Sequence, residues 1–244
     1  MGGPHRLHVT DRDSVVTLPP GQRAIDRFPR FGTHLHAPPP AIPTDPVIEI
    51  SGAVTAPFAV PLAQLDGLPR RELTADFHCV AGWTATGLRW EGVAFTTFYR
   101  MLIEPALLPD ASVTHLVFGG LDGYQSIVSI EDALDDDVLI AQHLNGRPLD
   151  ADHGAPARLV SPSQYGFVST KHLCSIELHT TAPPESYRHA SPKNQLALRL
   201  LAPHPRARVW NEERHRLLPS WSVRPVFRLL IPPFRFLCAR GSRP

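Results

Sequence analysis

The sequence has few cysteines and no long apolar segment. Its three cysteines, Cys79, Cys174 and Cys238, are far apart and form no Cys-x-x-Cys pair, which excludes a disulfide framework and a zinc ribbon. No apolar run reaches the roughly 20 residues that a membrane-spanning helix needs, and the first residues lack the apolar core of a signal peptide. We therefore expect a cytoplasmic protein without a transmembrane segment.

Lysine is also scarce, because 22 arginines accompany only Lys171 and Lys193 in 244 residues of net charge +1. The charge is unevenly distributed. Residues 1–202 carry 15 basic and 21 acidic side chains, whereas residues 203–244 carry nine arginines and two glutamates. This asymmetry indicates a basic segment that lies on an acidic surface of the chain, on a partner or on an anionic membrane. It does not by itself indicate nucleic-acid binding, and we expect none.

Proline is abundant. The 27 prolines, about twice the usual frequency, predict many turns and exclude a long-helix bundle. Residues 1–46 are polar and proline-rich and are predicted to form an extended arm. Residues 47–184 contain short alternating segments typical of strands, interrupted by two short helices, and residues 185–244 form a basic C-terminal extension. The sequence therefore predicts a β-rich, mixed α+β domain.

Turn residues and alternation place the individual elements. Strands are predicted at 47–50, 58–60, 75–80, 112–118, 126–130, 138–144, 157–160 and 171–179. Helices are predicted at 93–102 and 131–134, the second with Ser129 as its N-cap. Near the C-terminus, Pro232-Pro233 predicts an interruption of any amphipathic helix.

The first segment with chemical potential contains Cys79, which ends a predicted strand and precedes a glycine turn and Trp83. A thiolate in this position can reach a ligand from a rigid scaffold. A cysteine is also commonly a small buried apolar residue, and the spacing leaves both interpretations open. A third interpretation makes Cys79 a hydrolase nucleophile activated by His78 or His153. For His78 this is disfavoured, because neighbouring strand residues point to opposite faces.

The second segment extends from His153 to Lys171. It supplies the guanidinium of Arg158, the ammonium of Lys171 and the hydroxyls of Ser169 and Thr170. These groups suit a phosphate or another polyanion. Taken alone, the segment is also typical of an ordinary loop with solvated charges.

Together the two segments resemble the molybdopterin-binding core of the sulfite oxidase family, over roughly residues 47–179. The run Cys79-Val80-Ala81-Gly82-Trp83 is similar to the family's Cys-Val-x-x-Trp element. The sequence His-Gly-Ala-Pro-Ala-Arg at 153–158 is similar to its [His/Asn]-Gly-x-Pro-x-Arg loop, and residues 165–171 are similar to its Tyr-Gly-x-x-Ser-x-Lys element. A weaker similarity covers residues 30–34.

The resemblance implies an enzyme that carries molybdopterin and transfers an oxygen atom with a two-electron change at molybdenum. Cys79 is then the implied molybdenum ligand and a catalytic residue. The residues implied to bind the cofactor are His34, His153, Arg158, Ser169, Thr170 and Lys171. Arg89 and Tyr124 are candidates beside the substrate, although each also has an ordinary structural interpretation.

Some features depart from the family pattern. A haem domain and a Cys-x-x-Cys-His site are missing, which implies a separate electron-transfer partner. The extension after residue 185 is shorter than the family's dimerisation domain, which leaves a homodimer open. The substrate, a small oxyanion or a sulfoxide, is also undecided. The competing class is a non-enzymatic module that binds an anion or nucleotide, which a deeply buried Cys79 with no cavity beside it would favour.

Overall fold

The computed structural model describes residues 17–32, 37–184 and 202–240, and strands predominate in the part that carries the two motif segments. Six strands form the first sheet: β1 (Ala24–Ile25), β4 (Arg70–His78), β5 (Thr84–Ala94), β8 (Leu139–Leu144), β9 (Arg147–Pro148) and β10 (Arg158–Val160). Five strands form the second: β2 (Val47–Gly52), β3 (Phe58–Pro61), β6 (His115–Gly120), β7 (Gln125–Ser129) and β11 (Leu173–His179). The predicted β-rich α+β fold is confirmed.

The first sheet brings the two motif segments together. β5 pairs antiparallel with both β4 and β8, and β8 pairs antiparallel with β10. Cys79 lies in the turn that joins β4 to β5, and Arg158 begins β10. The register places Arg158 opposite Ala141 and Ala141 opposite Gly92, and the Arg158 guanidinium lies 5.2 Å from the ring centroid of Phe77, two residues before Cys79.

The second sheet has the order β3-β2-β11-β6-β7. β11, predicted to close the sheet, lies instead at its centre, parallel to β2 and antiparallel to β6. The loop that carries Lys171 leads directly into this strand. Its position is therefore fixed by a strand that is hydrogen-bonded on both sides.

The longest strand was not predicted. β5 contains two glycines and charged side chains, which obscure its alternation. Leu88 and Trp90 are nevertheless buried while Arg89 is exposed, which is the two-residue period of a half-buried strand. Close packing explains one of the glycines, because a Cβ at Gly92 would lie 2.0 Å from the carbonyl oxygen of Ile140.

Short helical segments connect the sheets. α1 (Phe95–Phe98) begins two residues later than predicted and continues as a π-helical turn at Tyr99–Ile103. Two 3₁₀ turns lie at Leu62–Gly67 and Glu104–Ala106. α2 (Ile130–Ala133) confirms Ser129 as its N-cap, because the Ser129 hydroxyl accepts a hydrogen bond of 3.2 Å from the Asp132 N–H.

The prediction that Pro232-Pro233 interrupts a C-terminal helix is wrong. α3 (Ser220–Arg240) passes through both prolines and Pro225. Each proline removes one backbone donor, but its φ is compatible with a helix. Packing stabilises the remainder, because Phe227 and Ile231 contact the apolar cluster around Cys79 and Cys238 is fully buried. No helix among the described residues is long and apolar enough to cross a membrane.

Candidate functional site

Cys79 lies in a tight turn at the end of the β4–β5 hairpin. Its N–H donates to the carbonyl of Trp83, and its carbonyl accepts from the N–H of Gly82, at 2.8 and 2.9 Å. Gly82 has φ +99°, a conformation that glycine adopts without strain. The turn therefore holds the cysteine backbone rigidly at the edge of the first sheet.

The Cys79 side chain is only 8% exposed and lies in an apolar cluster. Trp83 and Trp90 are in the same cluster, with Phe28 and Phe77 packed against it. Burial raises the pKa of the Cys79 thiol to about 12, although the Ala81 N–H and the charges of Arg214 and Lys171 act in the opposite direction. Without a bound cation the thiol stays protonated.

Arg158 connects the two ends of the second motif segment, residues 153–171. Its guanidinium is fully buried and donates to the carbonyls of His153, Ser169 and Leu159, at 2.9, 3.1 and 3.3 Å. It also lies 5.2 Å from the ring centroids of both Phe77 and Trp90. Burial lowers the pKa of Arg158 to about 9. Among the described residues its hydrogen bonds go only to carbonyls, so no carboxylate neutralises it.

Lys171 is the second cation of this loop, and its side chain is partly buried. Its Nζ donates to the carbonyl of Asp152, at 2.7 Å. Burial, followed by the nearby charges of Arg158 and Arg30, lowers the pKa of Lys171 to about 7. Gly154 lies between the two cations: at φ +106°, a Cβ there would meet Lys171 Cβ at 3.1 Å and Arg158 Cβ at 3.2 Å. Glycine is required where these side chains meet.

His153 is held at the same place. Its Nδ1 lies 2.7 Å from Asp150 Oδ1 and its Nε2 lies 3.1 Å from the carbonyl oxygen of Phe28. The imidazole also packs on the Phe28 ring, with centroids 4.8 Å apart. Both ring nitrogens therefore have protein neighbours, and His153 connects the N-terminal arm to the second motif segment.

The predicted hydroxyl residues surround the same loop. The Ser169 hydroxyl accepts from the Ser161 N–H at 3.2 Å, and the Thr170 hydroxyl lies 2.7 Å from that of Ser126. The Tyr124 hydroxyl donates to the carbonyl of Phe167, at 2.6 Å. These contacts place all three residues around the loop, with Ser169 and Thr170 buried.

Arg89 is not brought to the site. It is opposite Thr74 in the hairpin register, five residues along β5 from Thr84, which is about 17 Å of strand. Its side chain is half exposed and lies 3.8 Å from Glu72, because the alternation that buries Leu88 and Trp90 directs it to the other face. His34 lies outside the described residues.

Two residues that the sequence did not indicate contact the cysteine turn. Arg214, only 1% exposed, donates to the carbonyl of Val80. Its guanidinium carbon lies 5.1 Å from the ring centroid of Tyr165. Gln22 donates from Nε2 to the carbonyl of Cys79, at 3.1 Å. Both come from segments outside the resemblance, so no local pattern pointed to them.

The hydrolase interpretation of Cys79 loses its support. His78 Nδ1 lies 2.9 Å from the Thr84 hydroxyl, and His153 is held by Asp150 and Phe28. Among the described residues, neither histidine hydrogen-bonds the Cys79 thiol. With its pKa raised to about 12 by burial, this thiol lacks the base that a nucleophile needs.

The buried polar groups of the site fit an anionic cofactor. Arg158 and Lys171 are cations that donate to carbonyls, and an anion would offset the cost of burying them. Within the described part of the chain, the indole N–H groups of Trp83 and Trp90 are buried without a hydrogen-bond partner, which is costly unless a ligand accepts from them. No group of three or more metal-ligating side chains occurs there, so a metal would need most of its ligands from a cofactor.

A cleft of about 390 Å³ opens beside this cluster. It lies between the N-terminal arm and α3, and its lining includes Arg30, Asp152 and Arg235. Asp152 is the residue whose carbonyl accepts from Lys171, and its carboxylate lies 3.4 Å from the Arg30 Nε. The cleft therefore reaches the backbone that holds the Lys171 ammonium.

Residues 36–187 match the family model described as the oxidoreductase molybdopterin binding domain. The match covers more than half of the 244-residue chain and includes both motif segments. The boundaries predicted for the catalytic domain, 47–184, fall inside it.

Three relatives illustrate the similarity. A protein of Azospira oryzae, provisionally named protein-methionine-sulfoxide reductase subunit YedZ1, is 29% identical over 136 residues, which are 56% of this chain and 50% of that protein. The uncharacterized oxidoreductase YuiH of Bacillus subtilis is 28% identical over 68% of this chain and 80% of its own length. The protein-methionine-sulfoxide reductase catalytic subunit MsrP of Xanthomonas campestris is 27% identical over 79% of this chain and 64% of its own length. The chain thus spans half of the first relative and under two thirds of the third.

Proposed function

The chain belongs to the family of oxidoreductase molybdopterin-binding domains, and from this membership we propose that it is a molybdenum-dependent oxidoreductase of the sulfite oxidase type. The observation that carries the proposal is the clustering of a buried thiol with a buried arginine and a partly buried lysine, and among the described residues no carboxylate hydrogen-bonds either cation. The module that only binds an anion or nucleotide is disfavoured by the family, although Cys79 is as buried as that alternative requires.

Cys79 is the proposed ligand of the molybdenum. A thiolate is a soft, strongly donating ligand suited to this metal, and a bound cation deprotonates a coordinating thiol. The pKa of about 12 that burial gives the thiol then describes the protein before the cofactor binds. Arg214 and Lys171 favour the thiolate electrostatically.

Arg158 and Lys171 are the proposed anchors of the cofactor phosphate. Arg158 uses three of its five N–H groups on the carbonyls of its own loop, so it fixes the loop and retains donors for an anion. Lys171 contributes a point charge from the other side of Gly154. A phosphate between them would restore the protonated ammonium at neutral pH.

When bound, the cofactor supplies the two-electron change that accompanies the transfer of one oxygen atom. The proposed substrate is a sulfoxide, which takes up two electrons and two protons to give a thioether and water. Two relatives carry names of methionine-sulfoxide reductase subunits, and a neutral sulfoxide requires no cation of its own. The orientation of Arg89, half exposed beside Glu72 on the face opposite Trp90, is consistent with this choice. Sulfite remains the second candidate, since Arg214 lies near the cysteine turn.

The electrons are proposed to come from a separate protein. The two relatives named as methionine-sulfoxide reductases are described as subunits, which supports a partner for this chain too.

A homodimer and the cytoplasmic location expected from the sequence stay predictions. Analytical ultracentrifugation tests the first, and cell fractionation tests the second.

The direct test measures metal and turnover together. Protein from a host that makes molybdopterin should contain close to one molybdenum per chain. With a chemically reduced viologen dye as electron donor, it should reduce methionine sulfoxide. A molybdenum content below about one tenth of an equivalent contradicts the cofactor assignment. Full molybdenum with oxidation of sulfite, and no reduction of the sulfoxide, contradicts only the substrate.

A further inference from the structure

The outer face of α3 is unusually apolar. Ten large apolar side chains are exposed among the described residues, and five of them lie on α3. They are Trp221, Val226, Leu229, Leu230 and Phe236, while exposed Trp210 and Leu217 precede the helix. Trp221 is 72% exposed and Leu229 is 79% exposed, so these side chains protrude from the domain.

This apolar face lies opposite the face that packs on the domain. Phe227 and Ile231 contact the cluster that contains Cys79, and Cys238 is buried, at spacings that place them on one side of a helix. Val226 and Leu229 are both exposed, and their spacing of three residues places them together on the other side. A helix that is apolar on both sides is typical of one that has a further surface to cover.

The charges beside the outer face have one sign. Residues 220–240 contain four arginines and no acidic residue. Arg224 is held by Glu212, with its Nε 2.6 Å from Oε1, and Arg235 lines the cleft between α3 and the N-terminal arm. Arg228 is exposed and directly precedes Leu229 in the sequence. The helix therefore presents an apolar face beside an exposed arginine.

We propose that this face of α3 docks on an anionic lipid surface, with the helix axis in the plane of the membrane. Apolar side chains then enter the boundary between headgroups and acyl chains, where Trp221 is a favoured residue type. Arg228 contacts acidic headgroups, as basic residues beside a bilayer do.

The charge distribution of the whole chain orients it on such a surface. Residues 203–244 carry a charge of +7 and residues 1–202 carry −6. An anionic bilayer attracts the first part and repels the second. A protein that binds this apolar, basic face would need an acidic rim around an apolar groove. An anionic bilayer offers acidic headgroups above an apolar interior without any such special shape, so we favour the lipid surface. This inference does not depend on the proposed reaction, since docking needs no substrate.

Vesicle co-sedimentation of the full-length protein, loaded with its cofactor, tests the proposal. Vesicles of phosphatidylcholine with 30% phosphatidylglycerol should retain at least ten times more protein than vesicles of phosphatidylcholine alone. Trp221 fluorescence should shift to shorter wavelength on docking, and Trp221→Phe should remove that shift. Val226→Glu combined with Leu229→Glu should lower retention at least tenfold. Met101→Glu, at another exposed apolar side chain, should leave it unchanged.

Arg228→Gln should weaken the preference for the anionic lipid. Near-ultraviolet circular dichroism and molybdenum content should match the parent in all variants, which shows that they fold. Equal retention by both lipids, or none by either, overturns the proposal. A concentration-dependent dimer that Leu229→Glu dissociates, without vesicle binding, also overturns it and assigns the face to a second copy of the chain.

Discussion

Arg214 donates a hydrogen bond to the carbonyl of Val80, the residue after the proposed molybdenum ligand, across 134 positions of sequence. It also donates to the carbonyl of Pro20, at 3.3 Å, and its Nε lies 3.4 Å from Glu212. One buried side chain thus connects the cysteine turn, the N-terminal arm and the C-terminal extension. The site depends on residues on both sides of the matched domain.

Arg214→Met should therefore destabilise the protein by about 2–4 kcal/mol, because hydrogen bonds of a buried charged group are lost with little compensation. Urea unfolding measures the change. Arg208→Met is the matched control: Arg208 is 43% exposed and pairs with Glu213, and exposed ion pairs contribute little. Equal effects of the two substitutions would show that Arg214 has no special role at the cysteine turn.

Cys79→Ser should fold and retain the pterin through Arg158 and Lys171, but lose turnover and the thiolate-to-metal absorption. A serine oxygen is a harder ligand than a thiolate and does not reproduce its bonding to the metal. Visible absorption and steady-state rates check this. Cys174→Ser, at a half-buried cysteine in β11, should change neither. A parental rate in Cys79→Ser would mean that another group ligates the metal.

Lys171→Met should stabilise the protein made without cofactor, and this effect should depend on pH. Burial lowers the Lys171 pKa from 10.5 to about 7, so between these values the unfolded chain binds more protons than the folded one and the free energy of unfolding rises with pH. The gain from the substitution is therefore largest at pH 7 and below and disappears towards pH 10.5.

Thermal unfolding at pH 6.5 and 9.5 checks this prediction, with an expected rise of several degrees at the lower pH and a clearly smaller rise at the higher pH. Lys171→Arg, which keeps its charge at both pH values, should give no such gain. In protein made with cofactor, Lys171→Met should retain less pterin. A Lys171→Met variant that is equally stabilised at both pH values would show that the ammonium is not buried.

Gly154→Ala should weaken cofactor retention and destabilise the fold by about 1–3 kcal/mol, because φ +106° strains a residue with a Cβ. The new methyl group would also press on Lys171 and Arg158. Gly87→Ala separates these causes, since Gly87 has φ +64° but no atom within 4 Å of the added Cβ. Pterin content measured by fluorescence should fall only in Gly154→Ala. Equal loss in both variants would contradict the crowding explanation.

Local signals were sufficient for much of the fold. Alternation and turn residues predicted most strands, and Ser129 followed by acidic residues predicted a capped helix that the structure confirms. β5 was missed because its glycines and charges hide the alternation. Had that strand been recognised, the burial of Leu88 and Trp90 would have directed Arg89 away from the site. α3 was missed because three prolines outweigh its propensity, whereas packing against the domain stabilises it.

The sequence by itself determined which chemical groups are available: one cysteine before a glycine turn, and a loop with an arginine and a lysine. Their types and order are local properties, so they are visible without a structure. Only the tertiary structure decided that Arg158 binds carbonyls at both ends of its loop, that Arg214 reaches the cysteine turn and that Arg89 does not. These relationships depend on strand pairing and burial between residues far apart in the chain. The net charge of +1 likewise concealed an apolar face beside an exposed arginine that exists only once α3 packs on the domain.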